Sequence, residues 1–549
     1  MLERIITRLL HNDIKNVNLF LFEKSQYPGA GCHSPELPED ILTNTIACQM
    51  TMYFGKSMAR FGPIYEGPSL FEWARRNYSN DSVATDYLPR RVLGQYLLDF
   101  FLEQKTRMEA HNIKFRQIFE EVVDVICHSN HVKVSTSTKS YEVTKCVLTT
   151  GHQQSWHQGT STYDEFVDYD VLEEIDAPNN IAIQGMGLTA FDAISRLTEG
   201  RGGIFNEVEE NKLEYIPCGH EPKMFLYSRS GVFTSGRAVN PSPEYIYVPK
   251  FFTALAIENI KSKQSAVDFE KDYLPLLNEE LTYAFSLIED RSNLDLDRIY
   301  QPELMIGHES QKQFVTTFLE YLRWDIEQCI LGKMRSAHKF CQEAIRDLRD
   351  QFRLIVEFQN LNPDSHACFL AKWHPLITRA CVGPPVARLK KLEALIAAQV
   401  CSVDFALNPN VRKFDDHYEL TCEFGDEKRV VCVDQIVKAR IPSISFSDTQ
   451  NPLVQNLMKR YEVSEMNGRQ FGGLKITRTH NVKDKSRHCC ANLYALGIPT
   501  EGERYFTLVL GRPSMVSTFL LDSDRVAKCI LEELSPCSKI KGSVGKHRR

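Results

Sequence analysis

The segment NNIAIQGMGLTAFDAISRLTEG (179–200) constrains this chain more than any other. IAIQ reads as a short apolar strand, GMGLTA (185–190) as a G-x-G-x-x-A turn, and the residues after it carry apolar side chains at helical spacing. Each position has a physical reason. Gly185 permits the tight turn, Gly187 lets the backbone approach a pyrophosphate with no Cβ in the way, and Ala190 lets the helix pack close to the strand. The helix N-terminus then offers free amides and the positive end of its dipole to an anion. A second apolar strand, MFLYSRSG (224–231), arrives after a long Gly-rich loop (200–222) and ends in Arg229. An acidic residue there suits NADH, whereas an arginine suits the extra 2′-phosphate of NADPH, so the expectation is NADPH.

The N-terminus reads as the second half of another such unit. MLERIITRLL places Leu2, Ile5, Ile6, Leu9 and Leu10 at helical spacing, and VNLFLFEK (17–24) follows as a strand ending in Glu23. An acidic residue at that point accepts hydrogen bonds from ribose hydroxyls, as FAD offers. The strand and glycine turn that open such a unit are not in the sequence ahead of that helix.

With 549 residues, two or three domains are expected. A hydrophobic fraction of 43% and a charged fraction of 25% are those of a globular protein, and a net charge of −6 argues against a general nucleic-acid or anionic-membrane binder. No apolar run is long enough to span a bilayer, and Arg4 and Arg8 interrupt the first one, so neither a membrane segment nor a signal peptide is expected. The sixteen cysteines form no C-x-x-C pair, which points to reduced thiols in a cytoplasmic protein. Adjacent Cys489 and Cys490 could form a redox pair only in an electropositive setting. His152 and His157 lack further ligands at a suitable spacing, so no metal is expected. Helical periodicity dominates 251–397, strands return at 428–442 and 472–478, and LDSDRVAKCILEEL reads as a helix starting at Asp522 or Ser523 ahead of a basic tail.

Further segments carry a resemblance: YPGAGCHSPELPEDILTNTIACQMTMYFG (27–55), then GPSLFEWARRN, YLPRRVLGQYLLDFF, VLTTGH, IAIQGMGLTAFDAI, RGGIF, FLYSRSG, GPPVARLKKLEALI, VDQIVKARIPS and NLYALGIPTEGERYFT. In this order they resemble the FAD/NAD(P)-binding flavoprotein family that includes L-aspartate N-monooxygenase (nitrosuccinate-forming) and an FAD-dependent urate hydroxylase. The resemblance implies an α/β fold with two Rossmann-like dinucleotide-binding domains, one for FAD and one for NADPH, with a helical insertion and with the first strand of the FAD domain absent. The implied boundaries are 1–165 and 466–534 for the FAD domain, 166–250 and 398–465 for the NADPH domain, 251–397 for the insertion, and 535–549 for the tail.

The implied activity is a monooxygenase in which NADPH reduces FAD and one oxygen of dioxygen passes to a small nitrogen-containing substrate such as an amino acid. By position, Glu23 resembles the FAD ribose acceptor. Asn44, Thr45 and Gln49 resemble the stretch along the isoalloxazine, Asn44 and Gln49 being the candidate catalytic residues. Arg90 resembles a flavin or phosphate contact, Thr150 and Gly151 the crossing between domains, and Gly497 and Thr500 the late loop over the flavin. Family members begin with a strand and a G-x-G-x-x-G turn just ahead of the helix that MLERIITRLL resembles. A truncated start or a member that has lost flavin binding would both explain its absence. The alternatives are a flavin reductase or oxidase without substrate oxygenation, and a non-catalytic NADPH-binding protein. Expected partners are a small-molecule substrate and dioxygen, with no nucleic acid and no membrane; substrate identity and oligomeric state stay open.

Overall fold

A computed structural model describes residues 1–152, 169–177, 179–240, 243–264, 266–440, 446, 449–466 and 469–534, so His157 and the basic tail lie outside the described residues. The chain divides into two compact units. The first comprises Met1–Leu37, Thr45–Ser155 and Ile444–Arg549; the second comprises Pro38–Asn44 and Trp156–Ser443.

The second unit is organised by an all-parallel sheet whose spatial order is Cys401–Ser402, Lys223–Tyr227, Asn180–Gln184, Gln435–Lys438. Ile181, Ala182 and Ile183 are fully buried in its central strand, as expected for a parallel strand covered on both faces. The chain leaves that strand through helix Leu188–Leu197 and returns to one side of it, while Gln435–Lys438 lies on the other. Such a reversal of strand order opens a crevice at the carboxyl ends of the strands, where α/β sheets take their ligands. The segment expected as a Gly-rich loop is instead a β-hairpin, Ile204–Glu209 with Lys212–Ile216. Its period-two alternation decides the strands, and Asn211, at φ +67°, makes the turn. Between Ala254 and Ala397 the chain is a succession of helices, interrupted at Gly332 (φ +79°) and Phe358 (φ +56°). Its interior holds an ion pair between Lys339 and Asp325 at 2.6 Å, with Ser235 bonded to the same carboxylate.

The first unit gathers distant segments of the chain. Strand Asn18–Phe22 pairs in parallel with Lys114–Ile118, and strand Cys146–Leu148 pairs in parallel with Cys489–Ala495. Among the described strands each of Asn18–Phe22 and Cys146–Leu148 has one neighbour, and Phe20 is 41% exposed. An antiparallel sheet of Val122–Cys127, Val132–Thr136 and Ser140–Val143 accompanies them. Helix Leu2–His11 has the expected amphipathic form, with Ile6 and Leu9 buried. The closing helix spans Thr518–Leu534, starting before Asp522 and Ser523, because Phe519 and Leu520 already pack against Phe54 and Met58. Leu9 meets Val526, Ile530 and Leu531 of that helix and Tyr494 of the last parallel strand in one apolar cluster. Among the described residues, no helix is long and apolar enough to cross a membrane.

Candidate functional site

The glycine turn of the second unit sits at the carboxyl end of the central strand. Gly185 has φ +124°, and a Cβ there would lie 2.3 Å from the carbonyl oxygen of Ala439, so only glycine fits. Its amide donates to Tyr227 O at 2.8 Å, fixing the turn to the neighbouring strand. Gly187 caps helix Leu188–Leu197 with ordinary angles (φ −101°, ψ −164°). A Cβ on Gly187 would meet only Thr234 Cγ2, at 3.8 Å. The chain itself therefore does not demand glycine at 187; space beside the backbone is what the missing Cβ provides. The Thr234 hydroxyl is buried without a hydrogen-bond partner among the described residues, and its methyl group is what faces Gly187. Ala190 is buried, with its amide on Gly187 O at 3.0 Å. These features fit a pyrophosphate at the helix N-terminus.

Arg229 follows strand Lys223–Tyr227 by two residues and is exposed; Tyr227 pairs with Gln184, the residue before the turn. Sequence reasoning missed Arg440. It lies beside Gly185, its amide 3.7 Å from where a Cβ would stand, and it is exposed two residues past strand Gln435–Lys438. The signal was present in VKARIP, whose basic residues end a parallel strand. Asn44 belongs to the short segment Pro38–Asn44, which joins the second unit through Arg196–Asp40 at 2.9 Å and a hydrogen bond from Arg388 to Asp40 O.

In the first unit, Glu23 follows strand Asn18–Phe22. Its amide donates to Ile118 O at 3.1 Å, and its carboxylate accepts the Ser25 amide at 2.9 Å. The chain then makes an open turn in which Gly29 (φ +81°) and Gly31 (φ +56°) have nothing near a hypothetical Cβ. Arg90 starts helix Arg90–Ala110 and lies near Cys32 and His33. Burial first, and the Arg90 charge second, push the His33 imidazole down to about 4, and its Nδ1 is buried with no partner among the described residues. Gly94 explains the close approach: a Cβ there would stand 1.9 Å from His33 O. Half-buried Thr45 lies two residues ahead of the turn Ala47–Gln49, which half-buried Gln49 ends.

Gly151 and Gly497 are brought together by strand pairing. Ala495 faces Leu148, and the Leu496 amide donates to Leu148 O at 2.9 Å, so both strands end at one edge, where Thr150 is exposed. Gly151 (φ +65°) and Gly497 (φ +72°) both leave open space where a Cβ would be. Thr500 is fully buried, and its hydroxyl donates to Gly497 O at 2.7 Å. It therefore shapes the loop and has no hydroxyl proton left for a ligand.

Residues 1–153 match the FAD-NAD(P)-binding family model. The chain is 28% identical to nitrosuccinic acid synthase npaA of Aspergillus oryzae, over 92% of this chain and 86% of that protein. It is 25% identical to an L-aspartate N-monooxygenase (nitrosuccinate-forming) of Streptomyces davaonensis, over 92% and 91%. The enzyme of that name from Streptomyces cremeus is 24% identical, over 92% and 88%.

Proposed function

We propose that this chain, whose first 153 residues belong to the FAD-NAD(P)-binding family, is an FAD- and NADPH-dependent monooxygenase that hydroxylates the amine of a small amino acid, with L-aspartate the first candidate. The observation that carries the reading is the turn at 185–190. Gly185 is required by the backbone, Gly187 is not, and the space Gly187 leaves is bounded only by the Thr234 methyl group, at 3.8 Å.

The chain's own residues have binding and orienting roles. The first amides of helix Leu188–Leu197 hold the NADPH pyrophosphate, Gly187 lets it approach, and Arg229, with Arg440 beside the turn, holds the 2′-phosphate by charge-assisted hydrogen bonds. Glu23 accepts ribose hydroxyls of FAD, and the open backbone at Gly29, Gly31, Gly151 and Gly497 leaves room for that cofactor. Arg90 supplies positive charge to it. Asn44, Thr45 and Gln49 orient flavin and substrate by hydrogen bonding. Bound FAD supplies the redox and oxygen chemistry, which side chains cannot. Fifteen described cysteines are all free thiols, which suits a reducing compartment such as the cytoplasm.

The test is turnover of the full chain with FAD, NADPH, dioxygen and L-aspartate, following NADPH oxidation, hydrogen peroxide and oxidised product by mass spectrometry. Product in proportion to NADPH consumed is expected. Peroxide in proportion to NADPH with no product would replace the reading by an oxidase, and flavin retention without any NADPH oxidation would refute it.

A further inference from the structure

The vicinal pair Cys489–Cys490 has no part in either nucleotide site, yet the fold brings a third cysteine to it. Cys127 closes strand Val122–Cys127; its thiol donates to His128 O at 3.6 Å and lies close enough to that of Cys490, on strand Cys489–Ala495, for each to shift the other's ionisation. Both strands are fixed there. The Cys127 amide donates to the Tyr461 hydroxyl at 2.9 Å, and that hydroxyl donates to Val125 O at 3.1 Å. Asn492 donates its side-chain amide to His128 O at 3.3 Å and Ser129 O at 3.2 Å, tying the second strand to the turn after Cys127. Asn481 donates to Cys490 O at 3.3 Å. The two sulfurs are therefore held together by a hydrogen-bonded frame.

A cation beside the pair is Lys145, which is itself ion-paired with Glu533. Its ammonium donates to Ala491 O at 3.1 Å, next to Cys490. The Cys490 thiol, the Asn492 backbone and the Lys145 charge push the Cys127 thiol down to about 7 against its partial burial, while the same contact pushes Cys490 up. Of the two sulfurs, Cys127 is the one whose thiolate is favoured. Cys146, nearby, is pushed up to about 12 by burial and is unreactive. Cys127 and Cys490 are half-buried, and Cys489 is exposed.

We propose that Cys127 and Cys490 are a peroxide-reactive dithiol that closes to a disulfide. The Cys127 thiolate attacks one oxygen of a hydroperoxide; the O–O bond breaks, and Cys127 sulfenic acid forms with release of hydroxide, or alkoxide from an organic peroxide. Cys490 then attacks that sulfur, forming the S–S bond and expelling the sulfenic oxygen as water once its proton is counted. Two thiols lose two electrons in all, and the peroxide is reduced by two.

The full chain, reduced and then titrated with hydrogen peroxide, is trapped with N-ethylmaleimide, digested and mapped by mass spectrometry. A Cys127–Cys490 linked peptide is expected as the first cross-link to appear. At pH 7 Cys127 is expected to alkylate with iodoacetamide about tenfold faster than an ordinary half-buried thiol. In C490S, Cys127 is expected to accumulate sulfenic acid that dimedone captures; in C127S, Cys490 is expected to stay unlabelled. Circular dichroism of both variants separates loss of reactivity from loss of fold. Oxidation of exposed Cys32, Cys432 and Cys489 while Cys127 and Cys490 remain fully alkylated would overturn the proposal, as would a first cross-link through Cys489.

Discussion

Arg8 and Asp524 form a two-pronged ion pair, Nε to Oδ1 at 2.8 Å and Nη2 to Oδ2 at 2.5 Å, across 516 residues of sequence. It joins helix Leu2–His11 to helix Thr518–Leu534, and Arg4 reaches the same carboxylate at 3.2 Å while holding Glu3 at 2.6 Å. Arg4 and Asp524 are 1% and 3% exposed. Breaking such a pair leaves a buried charge uncompensated, which costs about 3–5 kcal/mol. Asp524→Ala is expected to lower the first unfolding transition in denaturant by that amount. Arg8→Met with Asp524→Leu is expected to lose less, because no charge is stranded. If the single variant loses less than about 1 kcal/mol, the pair does not hold the unit together.

The two glycines of the turn should separate folding from binding. Gly185→Ala puts a Cβ against Ala439 O in a left-handed backbone, so the sheet edge must shift, and both stability and NADPH affinity are expected to fall. Gly187→Ala meets no atom closer than 3.8 Å and keeps an ordinary φ, so the melting temperature is expected to stay unchanged. Its methyl group occupies the approach of the pyrophosphate, and NADPH binding is expected to weaken roughly tenfold or more. Isothermal titration beside thermal melts decides this. Unchanged affinity in Gly187→Ala would place the dinucleotide elsewhere.

That turn was legible because every residue in it answers a local requirement: a positive φ at 185, space at 187, a small side chain at 190. Features set by distant partners were not. Arg4 and Arg8 read as interruptions of an apolar stripe, and their burial follows only once Asp524 comes to meet them. The vicinal cysteines offered no reason for reactivity until the fold supplied Cys127 and Lys145. Glycines at 200, 202 and 203 suggested a loop, but the alternation from Ile204 to Ile216 and the turn at Asn211 decided for a hairpin.

Cofactor preference tests Arg229. A hydrogen bond to a charged group contributes about 1.5–3 kcal/mol, which is roughly a 10- to 100-fold effect on affinity. Arg229→Ala is expected to raise KM for NADPH by that factor and to leave KM for NADH unchanged. Arg440 stands at the neighbouring strand end, so Arg440→Ala is measured alongside. A selective NADPH defect in Arg440→Ala with none in Arg229→Ala would move the 2′-phosphate to the opposite side of the turn.

The last expectation concerns acid. His33 is held neutral in the folded chain, because burial and then the Arg90 charge push its imidazole from 6.5 down to about 4. The unfolded chain takes up that proton below about pH 6.5, and the folded chain does not until about pH 4. The unfolded state therefore binds more protons throughout that window. Stability owed to this group is fully present above pH 6.5 and falls as pH drops towards 4, with no further loss from it below. His152, His366 and His374 are pushed down to about 4 by burial and act in the same sense. Burial first pushes His338 well below its usual value too, so His33→Gln is expected to flatten the fall in melting temperature between pH 6.5 and 4 by about a fifth, one group of five, with little change at pH 7.5. Parallel melting curves for the variant and the parent across that range would mean that folding does not hold His33 neutral, and that the turn ahead of helix Arg90–Ala110 admits its charged form.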